Sequence, residues 1–96
     1  MKQVTSSELR EWITAGKDFL LIDIREEVER EAFHIGGAHI PMGELMSHLK
    51  EMPTDKDIVL YCEKGIRSVI AIQRLEAMGF NNLFNLSGGM SAWKQK

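Results

Sequence analysis

The stretch IVLYCEKGIRSVIAIQRLEAMGF, residues 58–80, changes character twice. Ile58 to Tyr61 is a continuous apolar run with β-branched residues, which reads as a strand buried on both faces. Cys62 to Ser68 is polar, cationic and contains a glycine. From Ser68 the spacing turns helical, with Val69, Ala71, Ile72 and Leu75 available to a core and Gly79 as the stop. A buried strand feeding a helix through a short loop is the repeating unit of parallel α/β proteins.

The same alternation extends in both directions. Upstream, VTSSELREWITAG opens with Thr5 and has Glu8 three positions later, the spacing of a capping box. Leu9, Trp12 and Ile13 then share one helical face, and Gly16 ends it. FLLID, residues 19–23, is a second buried strand, and REEVEREAF supplies one or two helical turns. IGGAHIP is a turn and a short extended piece stopped by Pro41, and MGELMSHLKEM puts Met42, Leu45, Met46 and Leu49 at helical spacing. Downstream, NLFNL, residues 82–86, is strand-like, and SGGMSAWKQK is a glycine turn into a terminal helix. Alternating strands and helices predict a parallel sheet covered on both faces. Ligands of such sheets gather beyond the carboxyl ends of the strands, where Cys62 stands.

Ninety-six residues predict a single domain, 1–96, with a small core of its own. A net charge of −2, with acids and bases intermixed, leaves no clustered basic face for nucleic acid. No apolar run approaches the roughly 20 residues that span a bilayer, so no membrane partner is expected. The opening MKQVTSSELREW has no apolar segment after its lysine and does not read as a secretory signal. One cysteine forms no internal disulfide, and a reducing, cytoplasmic setting is the simplest reading.

A lone cysteine is most often a small buried hydrophobe. The loop around Cys62 suits a second reading, a reactive thiol. The first turn of a helix leaves backbone N–H groups without partners, and a loop curled over that end aims them at the sulfur. The helix dipole stabilises an anion there by about 0.3–1 kcal/mol, or about 2 kcal/mol when partly buried. The thiolate, not the thiol, is the form such an environment favours. Lys64 and Arg67 push the same way, Gly65 permits the tight cradle, and Glu63 opposes it unless turned to solvent.

At this point the chain resembles the rhodanese family of sulfurtransferases, from about Val4 to Trp93. FLLIDIREEVE is similar to the family's apolar strand followed by Asp-x-Arg-Glu, HIGGAHIP to its His-Ile turn, YCEKGIRS to its active-site loop, and LSGGMSAW to its closing Gly-Gly-x-x-x-Trp segment. The resemblance implies a five-stranded parallel α/β sheet flanked by helices on both faces. It also implies that Cys62 is a catalytic nucleophile that takes the outer sulfur of a donor such as thiosulfate. The resulting persulfide is passed to a thiophilic acceptor: cyanide, a small thiol or a protein cysteine. By the same resemblance the backbone N–H groups of Glu63, Lys64, Gly65, Ile66, Arg67 and Ser68 cradle the sulfur and bind substrate. Arg67 and Lys64 then hold the sulfonate end of thiosulfate. Asp23 and Arg25 organise structure beside the site. No metal or organic cofactor is implied.

Loop length separates this pattern from cysteine phosphatases, which resemble it but place arginine six positions after the nucleophile. Here that position is Ser68, and Arg67 comes one earlier. The turn HIGGAHIP departs from the commoner family pattern: it is one residue shorter, with Gly36 where proline is frequent and Phe33 where glycine is frequent.

Other candidates read as structural. His34 and His39 lack a tight ligand cluster and read as satisfied structural histidines, and His48 as exposed. Gly36-Gly37 and Gly88-Gly89 lack phosphate-loop spacing and mark turns where backbones approach closely. Trp12, Trp93 and the methionines read as packing residues, and the charges of REEVERE as a solvated helical face. Against the sulfurtransferase stands a second function: a persulfide-carrier or regulatory binding module with little turnover of small donors.

Overall fold

A computed structural model describes residues 1–95. The chain order is β1 (Lys2–Val4), α1 (Ser6–Thr14), β2 (Phe19–Asp23), α2 (Glu27–Ala32), β3 (Ala38–His39), a 3-10 segment (Met42–Glu51), β4 (Asp57–Tyr61), α3 (Ile66–Ala77), β5 (Leu83–Leu86) and α4 (Gly89–Lys94). The strands form one parallel sheet in the order β1-β5-β4-β2-β3. The expected five-stranded α/β architecture is therefore present.

Strand alternation splits the core in two. Ile58, Leu60 and Cys62 of β4 and its exit point to one face, with Ile22 and Ile24 from β2 and its exit. There they meet Ala71, Ile72 and Leu75 of α3 and Leu45 of the 3-10 segment. Val59 and Tyr61 point to the other face and pack with Leu9 of α1 and Met90 of α4. Helices thus cover both faces, and β4 is buried on each because it lies mid-sheet.

The capping box at Thr5 forms as the sequence predicts. The Glu8 N–H donates to Thr5 Oγ1 at 3.1 Å, and the Thr5 N–H to Glu8 Oε1 at 2.9 Å. Three expectations need correction. Ile13 does not share the buried face of Leu9 and is exposed. Met42–Glu51 winds as 3-10 turns, not as an α-helix. At three residues per turn Met46 is carried off the face of Met42 and Leu45, and it is exposed. The sequence also gives no sign of β1, a three-residue edge strand that runs straight into the Thr5 cap.

Candidate active site

Cys62 leaves the carboxyl end of the central strand β4 and stands at the N-terminus of α3. The N-cap of α3 is Gly65, at φ +85°, which turns the chain back over the sulfur. That turn aims two N–H groups at Cys62 Sγ: Gly65 at 3.1 Å and Ser68 at 3.4 Å. Ser68 Oγ is also 3.4 Å from the sulfur and donates its own proton to Asn85 Oδ1. Asn85 comes from β5, is buried, and donates to the Gly65 carbonyl at 3.4 Å and to Gln3 Oε1 at 2.9 Å. A polar chain thus runs from the sheet edge to the thiol through the sheet's buried side.

The last helix holds the loop from its other side. The Met90 and Ser91 N–H groups donate to the carbonyls of Cys62 (3.0 Å) and Glu63 (2.8 Å). The free N–H groups at the start of α4 are satisfied by the loop that carries the thiol. This contact requires Gly89. A Cβ there would lie 2.3 Å from the Cys62 oxygen and 2.7 Å from the Glu63 oxygen. The expected close approach is also present at Gly37, packed on Leu21, and at Gly88, packed on Ala92, whereas Gly36 faces open space.

Above the sulfur lies a cavity of about 370 Å³ lined by Glu29, Cys62, Glu63, Lys64, Ile66 and Arg67. Cys62 is only 1% exposed and forms the floor of this cavity, while Ile66, 66% exposed, stands at its rim. Gly65 and Ser68 are buried and meet the sulfur from the protein side.

The charges are arranged differently from the sequence expectation. Arg67 and Lys64 do not both stand free over the thiol. Arg67 Nη1 and Nη2 donate to the two carboxylate oxygens of Glu29, at 2.9 and 2.7 Å. The reading of REEVERE as a solvated face is thereby corrected: Glu29 turns inward from α2 to the loop. The Arg67 hydrogen bonds pull the Glu29 pKa down from 4.5 to about 2, and Glu29 in turn raises that of Arg67. Glu63 turns from the sulfur toward Arg25 (Nη1 to Oε1, 3.1 Å) and Lys94 (3.4 Å). Lys64 is exposed.

Beneath the loop lies the buried pair of Asp23 and Arg25. Arg25 Nε donates to Asp23 Oδ1 at 2.9 Å and Nη2 to Oδ2 at 3.0 Å, and Nη2 also reaches the Phe33 carbonyl at 2.6 Å. Burial pushes the Asp23 carboxyl up, but the hydrogen bonds and charge of Arg25 outweigh it and hold the pKa below 3.8. Arg30 adds a contact to Asp23 at 3.4 Å and one to the Gly37 carbonyl at 3.0 Å, a second inward use of REEVERE. His39 Nε2 lies 2.7 Å from the Arg25 carbonyl oxygen, and His34 Nδ1 accepts from the Gly36 N–H at 2.9 Å. Both histidines serve backbone geometry. Among the described residues no three His, Cys, Asp or Glu side chains stand together as metal ligands. Trp12 packs edge-on against Phe19 and Phe84, and the Arg10 guanidinium lies over Trp93.

The family model of the rhodanese-like domain matches residues 5–96. The chain belongs to the rhodanese-like domain family. It is 36% identical over 96 residues to a probable adenylyltransferase/sulfurtransferase, MoeZ, of Mycobacterium tuberculosis. That match takes in 97% of this chain but 24% of MoeZ, so the chain spans about a quarter of that relative's length. It is 34% identical to the putative sulfurtransferase YtwF of Bacillus subtilis, over 98% of this chain and 91% of YtwF. The crystal structure of a rhodanese-like domain protein from Staphylococcus aureus superposes with a TM-score of 0.90 at 30% identity, covering 97% of this chain and 91% of that one.

Two residues of this rhodanese-like site escape a reading of the sequence alone. Glu29 sits among five other charged residues in REEVERE, and only the fold singles out which one faces Arg67. Asn85 carries a weak signal, as the lone amide between apolar residues Phe84 and Leu86 of an otherwise buried strand. A polar side chain in that position needs a buried partner, and Ser68 and Gly65 supply it.

Proposed function

We propose that this rhodanese-like chain is a sulfurtransferase that works through a persulfide on Cys62. The observation that carries the reading is the cradle at the end of β4, where Gly65 and Ser68 N–H groups converge on Cys62 Sγ at the floor of an open cavity. Two oriented donors at a helix N-terminus stabilise a sulfur anion, first the attacking thiolate and then the persulfide. The thiolate attacks the outer sulfur of a donor such as thiosulfate, a persulfide or a polysulfide. A new Sγ–S bond forms, and the donor's S–S bond breaks with its electron pair leaving on sulfite or a thiolate. An acceptor nucleophile, such as cyanide or a thiol, then removes the outer sulfur and restores Cys62. Glu63, Lys64, Ile66 and Arg67 line the space the donor enters, and Asp23 and Arg25 brace the loop from below. Sulfurtransferase names among full-length relatives support the reaction class. A lone, unpaired thiol suits a reducing compartment such as the cytoplasm. No helix among the described residues is long and apolar enough to cross a membrane.

A second reading keeps the persulfide and changes its use. In MoeZ the matching region is a small part of a larger protein whose name pairs sulfur transfer with adenylyl transfer. As a carrier, this chain hands sulfur to a partner and turns over small donors poorly.

Intact-mass measurement after incubation with thiosulfate, and separately with polysulfide, tests the persulfide. The wild type gains one sulfur, cyanide removes it, and Cys62→Ser gains none. No gain from either donor overturns the proposal. Steady-state turnover with thiosulfate and cyanide then separates the enzyme from the carrier.

A further inference from the structure

The cavity over Cys62 is lined by two carboxylates and two cations, and the pairing among them leaves little positive charge for a ligand. Glu29 occupies both arms of the Arg67 fork, at 2.7 and 2.9 Å. A guanidinium engaged in this way has given the fork between its two Nη atoms to a carboxylate, and its charge is compensated before a sulfonate or phosphate arrives. Glu63 is compensated outside the cavity by Arg25 and Lys94. The exposed Lys64 is the one lining cation without a carboxylate partner among the described ion pairs. Its hydrogen bonds to Arg67 hold the Glu29 pKa down at about 2, so the carboxylate is charged near neutral pH.

Thiosulfate brings two negative charges and releases sulfite, which also carries two. An alkyl persulfide, R–S–S⁻, brings one and releases a thiolate that carries one. The cavity also exceeds the needs of thiosulfate. Granting each of its five heavy atoms the ~30 Å³ share of a water molecule, thiosulfate fills about 150 Å³. The cavity measures about 370 Å³ and has the exposed, apolar Ile66 at its mouth.

We infer that Glu29, by closing the Arg67 fork, is a specificity-determining residue that turns the site away from sulfonate-bearing dianions and toward alkyl persulfide donors. This rests on the sulfurtransferase reading. The Cys62 thiolate attacks the terminal sulfur of R–S–S⁻, the Sγ–S bond forms, the donor's S–S bond breaks, and R–S⁻ leaves with the electron pair. One persulfide and one thiolate stand on each side, so charge and electrons balance with no further reactant. Glu29 touches neither reacting sulfur; it acts by holding Arg67.

The test compares loading of Cys62 from thiosulfate and from the persulfide of 2-mercaptoethanol, whose tail is uncharged. Wild type, Glu29→Gln and Glu27→Gln are followed by intact mass across donor concentration and salt. Glu27 lies exposed on the same helix and controls for surface charge. Wild type is expected to favour the persulfide in kcat/KM. In Glu29→Gln the thiosulfate KM falls about tenfold and becomes strongly salt-dependent, as expected when a charge-assisted arginine fork is freed. Persulfide loading changes less than thiosulfate loading, because the thiolate and its N–H cradle are untouched and the donor's single charge does not need the fork. A wild type that prefers thiosulfate overturns the inference even if Glu29→Gln does not fold. So does an unchanged thiosulfate KM in a folded Glu29→Gln. Both outcomes leave the Cys62 persulfide standing, whereas failure of both donors to load wild type overturns the sulfurtransferase reading itself.

Discussion

Replacing Gly89 by alanine separates the clamp on the thiol loop from ordinary glycine strain. Gly89 has φ +55°, where a Cβ costs roughly 1–2 kcal/mol. The new Cβ would also lie 2.3 Å from the Cys62 oxygen and 2.7 Å from the Glu63 oxygen, far inside contact distance. Relief requires α4 to withdraw, and forced shifts in a packed interior cost typically about 1–3 kcal/mol. The carbonyls of Cys62 and Glu63 then lose the Met90 and Ser91 N–H groups, at about 1 kcal/mol for each weakened bond. The sum is about 4–7 kcal/mol, much of the stability of a domain this size. Gly16→Ala is the matched control, with φ +71° and open space around the Cβ, so only the backbone cost of roughly 1–2 kcal/mol applies. Urea unfolding followed by far-UV circular dichroism gives both values, and intact-mass loading reports the state of the thiol. The expected result is a loss for Gly89→Ala at least about 2 kcal/mol greater than for Gly16→Ala, with slower sulfur loading in the fraction that folds. Equal losses would refute the reasoning, since the Cβ would then have found room beside the loop.

Asp23→Ala leaves the 1%-exposed Arg25 without its main counter-charge and should cost about 3–5 kcal/mol in urea unfolding; a loss under about 1 kcal/mol would show the pair to be dispensable. Asn85→Ala removes the acceptor of Ser68 and a donor to Gly65, so a loss of about 1–3 kcal/mol and slower Cys62 loading are expected. Unchanged loading in Asn85→Ala would show that the chain through Ser68 does not position the sulfur. The Glu29–Arg67 pair makes stability pH-dependent, because the folded-state pKa of Glu29, about 2, lies below its ordinary 4.5. Its stabilisation is fully present above pH 4.5 and is lost as pH falls toward 2. Partial exposure limits it to about 1 kcal/mol, so wild type should exceed Glu29→Gln by that amount at pH 6, with the gap narrowing in acid. A gap that stays constant from pH 6 to the acid limit would show that the pair does not form in solution.

How far the sequence revealed this molecule depended on how local each signal was. β2 and β4 carry continuous apolar runs because the middle of a parallel sheet is covered on both faces, and β5 reads as a strand despite Asn85, so all three were legible at once. β1 was not, because three residues at a sheet edge bury only Val4 and carry no periodicity. The 3-10 winding of Met42–Glu51 was hidden because its apolar spacing fits an α-helix equally well. At the site, the loop from Cys62 to Ser68 announced itself through composition and through its place between strand and helix. The partners that fix its charge and shape did not. Glu29, Asn85 and Gly89 lie 33, 23 and 27 positions from Cys62 and reach it only through tertiary packing.

The sheet also constrains how the protein is made. Its first strand has one partner, β5, at residues 83–86, and the loop around the thiol is closed by N–H groups of residues 90 and 91. A ribosome must therefore pass residue 91 before the loop around Cys62 is closed. Until then the nascent polypeptide carries an unsheltered sulfur in a half-built sheet. Protection of that cysteine during translation falls to the surrounding thiol pool, not to the fold.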